Sequence, residues 1–272
     1  MFDKSNINPE AAPSATLAAP YDTLYADEAL LAINKPPGLV VHPTYKHPDG
    51  TLTDAIFAWS EAIGASRPWL LHRLDKDTSG VTLFARTEEA RRALARQFAQ
   101  RMTHKRYLAL TIWPDGLPLG GEVDAPLWRD PLDRRRVIIT EEPPGQASRT
   151  RYRALARSAH PRSGVGMEAA GYALVLAEPV TGRTHQIRAH LTSLGAPLVG
   201  DAMYLPEGSP VATVAPRAML HAWSLTIRWP LDGPPRTIIA PPPDDFLATA
   251  RALGFALELD ALDALTGGFG ES

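Results

Sequence analysis

The sequence contains no cysteine among its 272 residues. Disulfide bonds, thiolate metal sites and a cysteine nucleophile are therefore excluded, and an oxidising compartment gains no support. No apolar stretch reaches the roughly 18 residues that a membrane-spanning helix needs, and the N-terminus lacks the basic start and apolar run of a secretory signal. Because 44% of the residues are hydrophobic, the chain can form a sizeable core. We predict a globular cytoplasmic protein.

Motifs that hold cofactors are also missing. The sequence has no glycine-rich phosphate loop followed by Lys-Ser or Lys-Thr, and no dinucleotide-binding fingerprint. Its eight histidines include no pair spaced i, i+4, so a metal site would have to combine distant segments. We therefore expect no metal and no nucleotide cofactor, and a structural, hydrogen-bonded role for each histidine.

Basic residues are concentrated in two segments, although the formal net charge is only -2. Residues 86–106 carry seven Lys or Arg against two Glu, and residues 129–157 carry eight Arg against four acids. Six acids against one arginine follow from position 244 onward. At this point two interpretations are open, namely solvated charged faces or a surface that binds a polyanion.

The hydrophobic periodicity predicts short strands and four helices. Strands are expected at 29–33, 39–41, 69–71, 81–85, 105–110, 172–177 and 224–229, with further β segments within 122–157. Helices are expected at 52–62, 87–102, 185–194 and 246–257. Because strands outnumber helices without strict βαβ alternation, we predict an α+β fold around a mainly antiparallel mixed sheet, flanked by helices and loops. We assign 1–20 to a disordered or loosely attached leader, 21–258 to one domain and 259–272 to an acidic tail.

Two polar segments are candidates for chemistry. The first, 71–81, is a charged turn between apolar runs, and Asp75 within it is either a working carboxylate or the partner of Arg73 in a surface ion pair. The second, 181–188, places Arg183 on a turn before a predicted helix, where a guanidinium and free helical N–H groups favour an anion. The alternative for this segment is an ordinary capped helix with solvated polar side chains.

The first of these segments resembles the catalytic motif of a known family. His72-Arg73-Leu74-Asp75-Lys76-Asp77-Thr78-Ser79-Gly80 is similar to that of the RluA family of RNA pseudouridine synthases. Four further segments resemble the family in the expected order, across about residues 24–230. They are Asn34-Lys35-Pro36-Pro37-Gly38 with Val41-His42-Pro43, Lys105-Arg106-Tyr107-Leu108-Ala109, Gly182-Arg183-Thr184-His185-Gln186-Ile187-Arg188, and Leu220-His221-Ala222.

The resemblance implies a pseudouridine synthase fold with a central RNA-binding cleft, and a substrate uridine in structured RNA, either tRNA or large-subunit rRNA. It implies that Asp75 is the catalytic aspartate, acting at C1′, at the base or through a glycal. By the same resemblance Arg183 is its ion-pair partner, Tyr107 stacks on the flipped base and no cofactor is needed. Asp77 is expected to hold the turn together with the two residues that follow it. The residues expected to contact RNA are Arg73, His72, Lys35, Arg91, Arg92, Arg96, Lys105, Arg134, Arg135, His185 and Arg188.

Many members of this family carry a small S4 RNA-binding domain before the catalytic domain, and the predicted leader is too short for one. We therefore expect a monomeric member without an S4 domain. Two other hypotheses remain open: a catalytically inactive RNA-binding or chaperone protein that keeps the fold, and a carboxylate glycosidase that acts on nucleosides.

Overall fold

The computed structural model describes residues 19–158 and 170–257. The predicted leader, 1–20, and the predicted acidic tail, 259–272, lie outside these residues except for positions 19 and 20. The described part forms one ten-stranded sheet and a separate two-stranded ribbon, with four α-helices. The predicted α+β fold with a mainly antiparallel sheet is confirmed.

The strands follow the chain in twelve short segments. They are β1 (Thr23–Ala26), β2 (Leu30–Lys35), β3 (Trp69–Leu70), β4 (Ser79–Ala85), β5 (His104–Pro114), β6 (Gly120–Asp124), β7 (Leu127–Arg129), β8 (Val137–Ile139), β9 (Arg149–Ser158), β10 (Ala170–Pro179), β11 (Leu220–Arg228) and β12 (Pro235–Ile239). The large sheet has the order β1-β2-β4-β11-β5-β10-β9-β6, with β3 beside β4 and β12 beside β11, while β7 and β8 form the ribbon. Every residue of the central strand β4 is buried.

The helices are α1 (Leu52–Ala62), α2 (Glu88–Ala99), α3 (Gln186–Ser193) and α4 (Asp244–Ala252). The start of α1 is fixed by a capping box between Thr51 and Asp54, and Thr87 caps α2 as its sequence predicts. Helix α2 ends before the predicted position 102 because Arg101 adopts a left-handed φ of 59°. Helix α4 ends before 257 because Gly254, with φ of 88°, terminates it.

The strand expected at 39–41 is absent, because this segment bonds to a helix instead of a ladder. The carbonyl groups of Val40 and Val41 accept hydrogen bonds from the N–H groups of Leu52 and Thr53, in the first turn of α1. Strand β2 pairs instead with β1 on one side and β4 on the other. The turn after β2 therefore lies against the beginning of α1.

Strands from distant parts of the chain meet in one row behind the loop 71–78. Gly80 on β4 lies beside Ala222 on β11, and the row continues to Tyr107 on β5 and Ala177 on β10. The contact between β4 and β11 is parallel, whereas the other strand pairs of the described residues are antiparallel. At this contact a Cβ on Gly80 would lie 2.2 Å from a backbone oxygen, and φ is 113°, so only glycine fits.

None of the helices within 19–158 and 170–257 is long and apolar enough to cross a membrane.

Candidate active site

The loop 71–78, which carries Asp75, is fixed from one side by a buried lysine. Lys35 is fully buried, and its ammonium donates hydrogen bonds of 2.8 Å to two carbonyls of its own turn and one of 2.9 Å to the carbonyl of Lys76. Burial and the nearby charge of Arg217 lower the pKa of Lys35 to about 7, and two neighbouring aspartates oppose the shift. The ammonium thus ties the turn after β2 to the loop.

An arginine fixes the other end of the same loop. Arg217 donates to the carbonyl of Asp77 at 2.8 Å and to Ser79 Oγ at 3.4 Å, and it forms two hydrogen bonds of 2.7 and 3.0 Å with the carboxylate of Asp245. Ser79 Oγ also lies 3.0 Å from Nδ1 of the buried His221. Asp77 therefore contributes to this anchor through its backbone carbonyl. Sequence reasoning missed Arg217 and Asp245 because no motif links them to a loop about 140 positions away.

Asp75 is half-buried, and two cationic or ionisable side chains lie within 4 Å of its Oδ2 atom. Nη1 of Arg188 is at 3.8 Å and Nε2 of His185 is at 3.9 Å. Arg188 lies on α3 and also forms two hydrogen bonds of 2.7 Å with Asp201, of which only 2% is exposed. Arg188 is thus held rigidly between two carboxylates.

The ion pair between Arg183 and Asp75 that the family resemblance implies is absent from the described residues, where Arg188 and His185 lie beside Asp75 instead. The guanidinium of Arg183 is exposed at the rim of the site, where Nε donates to the carbonyl of Ala147 at 3.4 Å. His185 has a left-handed φ of 51°, so that α3 begins only at the following residue and Arg188 is the arginine directed at Asp75. Arg183 lies on the turn before α3 and is exposed, whereas Arg188 lies within α3 and is buried.

Tyr107 lines the same cavity as Asp75 from the central row of the sheet. Burial, and to a smaller extent the negative charge of Asp75, raises the pKa of the Tyr107 hydroxyl above its ordinary value of 10. The side chain is therefore a neutral phenol that offers an aromatic ring beside the carboxylate.

A tyrosine connects the neighbours of Asp75 to the β7–β8 ribbon. The hydroxyl of Tyr204 accepts a hydrogen bond from the N–H of Val137 at 3.0 Å and donates to its carbonyl at 3.1 Å, and it lies 3.3 Å from Nδ1 of His185. The Arg188 guanidinium lies 5.0 Å from the centre of the Tyr204 ring, a cation–π contact. Burial lowers the pKa of His185, although Asp75 opposes this, so Arg188 is the charged partner of Asp75.

These side chains line a cavity of about 450 Å³. Within the described residues, Asp75 is the one carboxylate of its lining. The ammonium of Lys105 donates to the carbonyl of Thr181 at 3.2 Å, and burial together with Arg101 lowers its pKa to about 8. Five cationic side chains surround the single acid, which suits a polyanionic substrate. They are Arg73, Arg101, Lys105, Arg183 and Arg188.

Two of the residues expected to contact RNA have hydrogen-bond partners within the protein. Lys35 is fully buried and does not line the cavity. Nε2 of His72 accepts the N–H of Leu83 at 3.2 Å, and its ring stacks on Phe98 with 5.2 Å between ring centres. Burial, with a smaller effect of Lys105, lowers the pKa of His72 to about 3. The His72 side chain is therefore a neutral part of the cavity wall.

The basic residues of α2 lie away from this cavity. Arg91 and Arg92 both bond to Glu88, at 2.6 and 2.7 Å, and neither these two arginines nor Arg96 lines it. Arg134 and Arg135 line a second cavity next to the first. Within the described part of the chain, no group of three or more His, Asp or Glu side chains is arranged to hold a metal ion.

The chain is similar to several known pseudouridine synthases. The family profile described as RNA pseudouridylate synthase matches residues 29–193. The ribosomal large subunit pseudouridine synthase D of Xylella fastidiosa is 40% identical over 246 residues, which is 86% of this chain and 70% of the relative. The protein of the same name from Xanthomonas campestris pv. campestris is 39% identical over 254 residues, or 88% and 72% of the two chains. The solved structure of human RNA Pseudouridylate Synthase Domain Containing 1 is 25% identical, with a TM-score of 0.69, and the match covers 95% of this chain and 98% of that one.

The fold and these matches define a pseudouridine synthase catalytic domain. The chain belongs to the RNA pseudouridylate synthase family, and the resemblance to its RluA branch is confirmed. It is accordingly an isomerase that converts uridine to pseudouridine in RNA.

Proposed function

We propose that Asp75 is the carboxylate that carries out the isomerisation. The observation that supports this most strongly is its position as the one acid among the described residues that line the cavity. The proposal covers attack at C1′, attack at the base and removal of the 2′ proton, because each route needs an ionised carboxylate at the same place. It also explains why five cations surround one acid.

Arg188 takes the role that the sequence analysis gave to Arg183. Its Nη1 atom lies 3.8 Å from Oδ2 of Asp75, so a positive charge faces the carboxylate in a partly enclosed site. Asp201 holds Arg188 through two hydrogen bonds, so that the guanidinium stabilises Asp75 without closing onto both of its oxygens.

Tyr107 provides the surface on which the target base is held. Stacking of a base on an aromatic ring contributes about 1 to 3 kcal/mol, enough to retain a detached uracil while it turns. Moving the target nucleotide out of its stack costs a few kcal/mol, and least in an unpaired loop. Arg73, exposed at the rim of the cavity, contacts the RNA from which the nucleotide has moved.

The reaction balances without an oxidant, reductant or cofactor. The bond between N1 and C1′ breaks, the bond between C5 and C1′ forms, C5 loses a proton and N1 gains one. What the chain must provide is a carboxylate, a partner for its charge and a surface for the base, and Asp75, Arg188 and Tyr107 provide these.

We further propose that the substrate is large-subunit ribosomal RNA in the cytoplasm. Two relatives at 39 and 40% identity have names that refer to the ribosomal large subunit. Pseudouridine mapping of total RNA from cells with and without the protein identifies the RNA and the position together. A site that appears only in tRNA would contradict this part of the proposal.

The role of Asp75 is tested by tritium release from RNA labelled at C5 of uridine. The wild-type chain should release tritium while the base stays in the RNA, and Asp75→Asn should release none. Undiminished tritium release from the variant would contradict the role of Asp75. Absence of release by the wild type on every RNA class would support an inactive RNA-binding protein, and free uracil would support a glycosidase.

A further inference from the structure

A second cavity, of about 360 Å³, lies directly beside the active-site cavity. The two share Arg183 and Thr184 in their linings, so these residues form a wall between them. The remaining walls come from the β7–β8 ribbon, its connecting loop 130–136 and Gln146. Among the described residues, no carboxylate belongs to this lining, and five arginines do.

The loop 130–136 is built into a fixed shape by two aspartates. Asp130 is 3% exposed, accepts the N–H of Leu132 at 2.8 Å and binds the guanidinium of Arg136 at 2.5 Å. Asp133 accepts the N–H of Arg135 at 3.1 Å and binds its guanidinium through hydrogen bonds of 2.8 and 2.7 Å. The loop therefore needs no ordering when a ligand binds.

The same two aspartates leave a defined subset of the arginines without an anionic partner. Arg135 and Arg136 are neutralised by them, as their hydrogen bonds show. Within 19–158 and 170–257, Arg129 and Arg134 have no carboxylate partner, and the guanidinium of Arg183 makes only its contact with the carbonyl of Ala147. Three guanidinium groups thus remain available around one cavity, and a guanidinium fork matches the oxygens of a phosphate.

We propose that this cavity, the arginine pocket, binds the phosphodiester backbone on one side of the target uridine. Arg183 belongs to both cavities, so it contacts the phosphate that joins the target nucleotide to its neighbour, while Arg129 and Arg134 contact the next phosphate. This assignment rests on the proposed function, because the target uridine must occupy the adjacent cavity. It also gives Arg183, which does not pair with Asp75, a specific task in recognition of the RNA strand.

The test measures binding of a fluorescein-labelled single-stranded oligouridylate of 12 nucleotides, about the span that a small cleft can contact. The full chain carries Arg134→Gln or Arg183→Gln, and fluorescence anisotropy is followed over a series of salt concentrations. Loss of one phosphate contact on a single strand lowers the salt slope by about 0.7, which is about 5-fold in affinity at 0.1 M salt. The double variant should lose about 25-fold.

Two other arginines serve as comparisons. Arg251 on α4 also donates Nε to a backbone carbonyl and lines neither cavity, so Arg251→Gln should bind as the wild type does. Arg135→Gln should have a smaller effect than Arg134→Gln, because Asp133 already occupies its guanidinium. An equal loss for Arg135→Gln and Arg134→Gln would contradict the assignment of free and neutralised arginines.

The pocket and the proposed function fail in distinguishable ways. If the Arg134 and Arg183 variants bind the oligouridylate like the wild type while the wild type releases tritium from RNA, the pocket assignment is overturned and the function stands. If these variants lose affinity while the wild type forms no pseudouridine, the pocket stands and the function fails. Competition by polyglutamate of 12 residues as effective as that by unlabelled oligouridylate would overturn the assignment to RNA.

Discussion

Substitution of Asp201 by asparagine should destabilise the fold and slow the reaction together. Asp201 is buried and forms two hydrogen bonds of 2.7 Å with Arg188, which itself lies 3.8 Å from Asp75. Loss of one partner from a buried ion pair costs about 3 to 5 kcal/mol because the remaining charge is left uncompensated. Asparagine keeps one oxygen acceptor and Asp75 stays nearby, so we expect about 3 kcal/mol, the lower end of that range.

For a domain of this size, each kcal/mol lowers the Tm by roughly 2 to 4 °C. The Asp201→Asn variant should therefore unfold about 6 to 12 °C below the wild type in a calorimetric scan. Its kcat, measured by tritium release well below the Tm, should fall about tenfold, which corresponds to about 1.4 kcal/mol. The reason is that Arg188, left with one carboxylate, moves towards the oxygens of Asp75 and competes with the substrate for them.

The matched control is Asp133→Asn. Asp133 binds Arg135 with nearly the same geometry, through hydrogen bonds of 2.8 and 2.7 Å, but the arginine side chain is 71% exposed. Solvent screening makes such surface pairs weak, so this variant should show no resolvable change in Tm. A Tm for Asp201→Asn no lower than that of the control, or an unchanged kcat, would refute the reasoning that burial makes the Arg188 pair important.

Three further changes test other parts of the fold. Gly80→Ala should lower the free energy of unfolding by about 3 kcal/mol or more in urea denaturation, because its Cβ meets a backbone oxygen at 2.2 Å. The control Gly116→Ala, at a position with positive φ but open space, should cost about 1 kcal/mol. Equal losses for the two variants would contradict the close approach at Gly80. Burial lowers the pKa of His221 to about 4, below its ordinary value of 6.5, so the unfolded chain binds the proton first and stability is lost as pH falls. His221→Asn should remove about 2 kcal/mol of the stability loss between pH 7.5 and 5. A pH dependence of the unfolding free energy equal to that of the exposed His47→Asn control would contradict this. Tyr204→Phe removes the hydroxyl that joins the ribbon to His185. We expect its kcat to fall about tenfold with KM unchanged. A change in KM alone would contradict this and indicate a role in substrate binding.

Local patterns predicted those parts of the fold that local forces determine. The prediction of a helix at 52–62 is confirmed, because its apolar spacing and its termination near Gly64 depend only on residues adjacent in the sequence. The buried run of β4 was recognisable for the same reason. The segment 39–41 has the composition of a strand, and its carbonyl groups bond to the start of α1, a choice that depends on tertiary packing.

The site was predictable only as far as its motifs reach. Asp75 and Tyr107 belong to two separate motifs, and both side chains line the same cavity. The motif at 182–188 contains two arginines, and their spacing alone does not indicate which guanidinium lies near Asp75. The left-handed conformation of His185, just before α3, is a tertiary feature, and in this arrangement Arg188 is the one that lies there. The buried role of Lys35 was also invisible, because a lysine beside a turn has the same sequence signature whether it binds RNA or three carbonyl groups.

The position of β11 in the sheet has a consequence for how the protein is made. This strand is among the last in the chain, yet it lies between β4 and β5 at the centre of the sheet. Until residues 217–228 have left the ribosome, the earlier strands can form only two separate halves, each with an unpaired edge that is open to other chains. Asp75 and Tyr107 lie on opposite sides of that gap, so a nascent chain carries both residues well before it carries an active site.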